Sequence, residues 1–236
     1  MTFSIVARDS RTGALGTAVT TTVTCVGALA PHVSRDAAVS TQAYVNVDLG
    51  LATLELVAAG ETVEAAMRGA LARDHHVEQR QLVGIGASGE GFAFTGSEVL
   101  ADSGHLVADD HAVAGNLLVS TEVLEAMSRA FASSDGEEFT SRLIGALEAG
   151  LAAGGERDSS DFAETYGSAA VLVASPEPKG FHNLRVDASL TAVADLRSVY
   201  ERAVESARAL DEFYAGAIVV NPVHWRRSAL GEQHDA

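Results

Sequence analysis

The chain has 236 residues, is 47% hydrophobic with 22 glycines, and sets 32 acidic against 16 basic side chains for a formal net charge of −16. That is enough apolar material for one sizeable core, and the acidic excess repels phosphate backbones and anionic lipid, which argues against nucleic acid and membrane as partners. A single cysteine, Cys25, excludes an internal disulfide and fits a cytoplasmic protein, and neither an apolar run of membrane-spanning length nor an export-type N-terminus is present.

The chain opens MTFSIVARD, a strand in which Phe3, Ile5 and Ala7 alternate with Ser4, Val6 and Arg8. Turn chemistry over Arg8 to Gly13 returns it as Leu15 to Thr22, and the β-branched run beyond offers strand-like stretches on either side of Thr22 to Thr24. Ala37 to Ala43 is a further short strand, with Asn46, Asp48 and Gly50 marking the loop after it. Helices follow over Leu51 to Ala59 and Thr62 to Arg73, broken at Gly60, with Thr62 an N-cap. Strands resume as Gln81 to Gly86 and Gly91 to Thr95 around a glycine-bearing turn, and a polar loop leads to the short apolar segment Ala112 to Gly115. Helices are predicted over Thr121 to Ala132 and Phe139 to Ala153, then strands over Ala169 to Ala174 and Leu184 to Val186. The longest helix, Ala192 to Tyr214, carries Val193, Leu196, Val199, Tyr200, Val204, Ala207 and Leu210 as one face.

Ala217 to Val220 reads as a last strand, and no linker divides the chain, so residues 1–220 form one domain and 221–236 a tail. Hairpins and helix pairs in this order do not alternate as βαβ units; two antiparallel sheets packed together with helices outside, an α+β architecture, fit better.

Thr2 organises the functional reading. Trimming of Met1 would leave Thr2 with a free α-amine, of reference pKa about 7.7 to 8.0, beside its own hydroxyl, so one residue would supply nucleophile and general base. Many chains begin Met-Thr without consequence. Asp102, His105, Asp109, Asp110 and His111 include metal-ligand types, but their spacing fits no zinc or calcium motif, and no metal or cofactor is expected. Cys25 lies in an apolar run and reads as a buried thiol. Gly84, Gly86, Gly89 and Gly91 bridge two strands and do not make a phosphate loop.

Six segments in order, MTFSIVARD, STQAYVN, VEQRQL, FTG, SGHLV with AVAGNLL, and NLRVD with AVADLR, resemble the bacterial and archaeal family DUF1028 over roughly residues 1 to 200. The resemblance implies the fold of N-terminal nucleophile hydrolases, a four-layer αββα sandwich, and with it hydrolysis of a C–N bond in a small amide, imide or ureido compound. It marks Thr2 as nucleophile and Asn116 as an oxyanion donor, with Thr21, Gln42, Asn46, Gln81 and His105 as substrate-binding positions. A catalytically silent binding or scaffold protein of the same fold is the alternative, and a homo-oligomer is expected from sheet edges and from the small residues Ala203, Ala207 and Ala209 on the long helix. Two departures stand out: Thr22 where the family has arginine, and GGERDSSDFAETYGS in place of a Gly-Asp-Arg-type segment, with an apparent insertion between Asp158 and Gly167. The only lysine, Lys179, lies in a Pro-rich turn, so an arginine such as Arg8, Arg35 or Arg80 would have to supply positive charge near Thr2.

Overall fold

A computed structural model describes residues 1–100, 102–157 and 166–214, with the side chains of 211–214 excepted. Its strands are β1 (Thr2–Arg8), β2 (Leu15–Thr21), β3 (Pro31–Val33), β4 (Ala37–Ala43), β5 (Arg80–Gly86), β6 (Gly91–Thr95), β7 (Gly104–Ala108), β8 (His111–Asn116), β9 (Gly167–Ala174) and β10 (Asn183–Ser189). The helices are α1 (Val47–Ala58), α2 (Val63–Leu71), α3 (Glu122–Ser133), α4 (Phe139–Ala152) and α5 (Ala192–Tyr214). The strands form two wholly antiparallel sheets, one in the order β10-β9-β2-β1-β8-β7 and one in the order β3-β4-β5-β6.

Strand alternation builds the layers. On β1, Phe3, Ile5 and Ala7 join Leu124, Met127, Leu143, Leu147 and Leu196 in a core between the larger sheet and α3, α4 and α5. The opposite face of β1 looks at the second sheet, where Val6 packs with Leu15, Ala38, Val83, Ile85 and Ala114. A third cluster, with Leu49, Val63, Met67, Leu71 and Leu82, seats α1 and α2 on the outer face of the smaller sheet. The result is the expected α+β sandwich, helices outside two facing sheets. At Gly84 a Cβ would lie 2.6 Å from Met67 Sδ, so glycine lets α2 approach β5.

Several boundaries differ from the sequence expectation, each for a local reason. α1 begins one turn early: the Asn46 side chain caps it by accepting from the Asp48 N–H, and Gly50, read as loop, lies within the helix where a Cβ would come within 2.2 Å of the His32 ring, so glycine there serves close packing. The polar stretch before Ala112 contains β7, an exposed edge strand with no buried face to impose an apolar rhythm. The run after Thr21 turns at Cys25, in the left-handed region at φ 65°, into a short 3₁₀ turn over Val26–Ala28 and then β3. Cys25 is exposed, not buried; Val26 and Ala30 take the interior places beside it.

On α5 the stripe is narrower than its spacing predicts. Val193, Leu196 and Tyr200 are buried, whereas Val199 and Leu210 are 37% and 46% exposed because the sheet meets only part of the face. Ala203 and Ala207 pack against the chain's own core. The expected strand at Ala217 to Val220, the tail and the insertion after Asp158 lie outside the described residues.

Candidate active site

Sheet register brings three of the predicted residues side by side. Thr2 pairs with Thr21 on β2 and with Asn116 on β8, all three on the face that looks into the space between the sheets. The Thr2 and Thr21 hydroxyl oxygens are 3.1 Å apart, and both donate to the Met1 carbonyl, Thr2 at 2.7 Å. All three residues are buried.

Behind them runs a relay of side-chain amides. Gln81 Oε1 accepts from Gln42 Nε2 at 2.7 Å and from Asn116 Nδ2 at 3.0 Å, which occupies both lone pairs of a fully buried carbonyl. Gln42 Oε1 in turn accepts from Ser4 at 2.7 Å. Gln81 Nε2 faces the Gly115 carbonyl at 2.9 Å and Thr95 Oγ1 at 3.0 Å, and Thr95 contacts His105 Nδ1 at 2.9 Å. His105 is thus at the outer end of the relay, two side chains from Asn116, and desolvation holds its imidazole below the ordinary histidine range. A network that bonds each of these side chains fixes rotamers, so Asn116 is held in orientation by Gln81.

The relay divides the space between the sheets. Toward the N-terminal end of β1 the facing residues are polar, Thr2, Ser4, Gln42, Gln81 and Asn116; toward the other end they are the apolar set around Val6 and Ile85. Asn46 does not join this group. Its amide caps α1 and donates to Asp74 at 2.7 Å, and Asp74 pairs with the buried Arg80 at 3.0 Å.

The chain end itself is electrostatically unusual. Burial lowers the Met1 α-amine, and the nearby Glu156 carboxylate opposes that shift. Burial pushes the Glu156 carboxyl up to about 7, against the pull of the amine and of Thr22. Glu156 pairs as an isolated bridge with Leu118, two residues past Asn116, which is what brings it here. It was missed in the sequence, although its place after two glycines and before Arg157, in the segment that departs from the Gly-Asp-Arg pattern, was the available signal.

Neither Arg8 nor Arg80 supplies the positive charge expected near Thr2: Arg8 is tied to Asp110 at 3.0 Å, at the far end of β1, and Arg80 to Asp74. The side chains of metal-ligand type between Asp102 and His111 disperse. Asp102 pairs with Arg157, Asp110 with Arg8, His111 with Ser128 at 2.8 Å, and among the described residues no group of three or more metal-ligand side chains converges.

Three cavities border this end of the sandwich. A small one, of about 80 Å³, is lined by Thr2, Thr21, Thr41, Gln42 and Ala43. A second, of about 310 Å³, holds Thr21, Thr22 and Glu156. A third, of about 380 Å³, is lined by Met1, Ala43, Tyr44, Glu98 and Asn116 among others. Ala43 and Leu117, which border the third, are non-glycine residues at φ 66° and 52°, backbone conformations that cost energy and cluster at functional sites. A separate cleft of about 390 Å³ lies at the other end of the β1–β2 hairpin, beside Asp9, Arg11 and Lys179, and is not continuous with these residues.

Comparison with known proteins places this architecture in context. The family described as a family of unknown function, DUF1028, matches residues 2–196. A crystal structure of a DUF1028 protein from Silicibacter pomeroyi is 32% identical, superposes with a TM-score of 0.78, and the match covers 88% of this chain and 90% of that one. No curated protein matches. Among the described residues no helix is long and apolar enough to cross a membrane.

Proposed function

We propose that this chain, which belongs to the DUF1028 family, hydrolyses a C–N bond in a small amide, imide or ureido metabolite, with Thr2 as an N-terminal nucleophile uncovered by removal of Met1. The observation that carries the reading is the placement of Thr2 on the central strand of the larger sheet, beside Thr21 and Asn116 and in front of a buried amide relay. Helices outside two facing sheets resemble the layer order of N-terminal nucleophile hydrolases, which supports the reading by analogy of fold alone.

In the mature chain the Thr2 amine takes the Oγ1 proton as Oγ1 attacks the substrate carbonyl. The carbonyl oxygen becomes an oxyanion, for which Asn116 retains an amide N–H beyond the one given to Gln81. The ammonium then returns its proton to the departing nitrogen, and an ester on Thr2 remains. Water, deprotonated by the same amine, cleaves that ester and releases the carboxylic acid. Loss of Met1 also frees the hydroxyl of Thr21, 3.1 Å from Thr2, from the Met1 carbonyl, so it can orient the nucleophile. Cytoplasmic location and self-association along the exposed β7 edge belong to the same proposal.

The test is turnover of a panel of small amides and ureides by the wild type, Thr2→Ala and Thr2→Ser. Loss in the alanine variant with partial retention in the serine variant is expected; full turnover in Thr2→Ala would remove Thr2 from the chemistry. A silent binding protein is the second reading, favoured by the Met1 carbonyl that occupies both hydroxyls while Met1 is present.

A further inference from the structure

The third cavity at this end, of about 380 Å³, is of ligand size. Tyr44 lines it and is 63% exposed, yet its ring is held in place. The Arg80 guanidinium lies 4.9 Å from the ring centroid, the same arginine bonds the Tyr44 carbonyl, and His76 meets the ring edge-on at 6.3 Å. Arg80 is itself fixed by its buried pair with Asp74. An exposed aromatic ring pinned in one orientation is a prebuilt stacking surface, because little side-chain freedom remains to be lost when a ligand lands on it.

Charge selects what lands there. Glu98 is the charged side chain of this lining, and one of its oxygens accepts from Gln79 at 3.0 Å, which leaves Oε1 for a ligand. Glu78 stands just behind, its carboxylate held by Ser97 and kept below the usual range by those bonds. The cations nearby are neutralised or weakened: Arg80 by Asp74, Arg157, whose backbone N–H bonds the Leu117 carbonyl of the lining, by Asp102, and, while Met1 is present, its amine by burial, which lowers its proton affinity. With a net charge of −16 on the whole chain, the field at this mouth favours a cation.

We propose that this cavity is a binding subsite for a small planar cation, an amidinium or guanidinium group, stacked on Tyr44 and paired with Glu98. It deepens the hydrolase reading and rests on it for its role: because Asn116 lines the same cavity, a group seated here would present the amide or ureido carbon of its own molecule toward Thr2. Binding itself needs no reaction at Thr2.

The probe is benzamidine, with benzamide as its uncharged counterpart, titrated against the full-length protein by NMR or calorimetry. Benzamidine is expected to bind at least tenfold more tightly than benzamide, and to weaken several-fold in Glu98→Gln and in Tyr44→Leu. Circular dichroism and thermal melting establish that each variant folds, and Glu98→Gln, at an exposed position, carries the test if Tyr44→Leu does not. Equal affinity for the two probes, or benzamidine binding untouched by Glu98→Gln, overturns the subsite. Neither result touches the hydrolase reading, which is decided by turnover in Thr2→Ala.

Discussion

The hydroxyls of Thr2 and Thr21 lie 3.1 Å apart on adjacent strands, and both are directed at the carbonyl of Met1. Removal of one residue would therefore release both at once. Thr21→Val keeps the shape of the side chain but deletes the partner, so the fold should persist with a stability change within about 1 kcal/mol, while the reactivity of Thr2 should fall about tenfold or more. Labelling of Thr2 by a β-lactone, timed by mass spectrometry, measures it.

Gln81 is the joint of the amide relay. Gln81→Leu would leave the Gln42 and Asn116 amides without their acceptor in a buried space, at a cost on the order of 2 to 5 kcal/mol. Urea denaturation reads this directly, and a change under about half a kcal/mol would show that the relay is not a structural unit.

The helix layer makes an independent prediction. Leu196 on α5 is fully buried against the larger sheet, and Leu196→Ala should cost on the order of 2 to 5 kcal/mol. Val199→Ala, on the same helix but 37% exposed, should cost clearly less. Equal losses would place both residues in one buried face.

Glu156 predicts an inverted pH response. Its carboxyl rises from 4.5 to about 7 on folding, so the folded state binds the extra proton, and the stability it contributes is complete below about pH 4.5 and lost as pH climbs through about 7. In a chain that still carries Met1 its amine runs the other way: the lowered value means that the unfolded chain holds the proton longer, so stability recovers as pH rises toward 8.0. Glu156→Gln should flatten the fall between pH 5 and 7, measured by urea midpoints across that range. A wild-type profile without the fall would contradict the burial of this carboxyl.

Most of the fold was legible because its strands announce themselves by alternation and its helices by stripes. β4, β6 and α5 appear at their expected bounds. β7 was hidden because an exposed edge has no apolar face to display, and the start of α1 because Gly50 reads as a breaker until the His32 ring is seen against it. Of the site, the resemblance supplied the residue types and the structure their adjacency: Gln42, Gln81, Asn116 and His105 fall on one hydrogen-bonded relay through Thr95, and the Thr2–Thr21 pair sits beside it, Thr2 in register with Asn116. Asn46 falls elsewhere because a helix N-cap and a ligand contact ask for the same side chain at the same kind of loop. Glu156 carried only its place after two glycines as a signal, since its position beside the chain end depends on a single bridge to Leu118.

The most direct test of Thr2 as an N-terminal nucleophile is intact-mass and N-terminal peptide analysis of the purified protein before and after exposure to a β-lactone. A chain beginning at Thr2 that gains one acyl group on that residue, with no gain in Thr2→Ala, is the result predicted. A chain that retains Met1, or one that is labelled equally in Thr2→Ala, would contradict it.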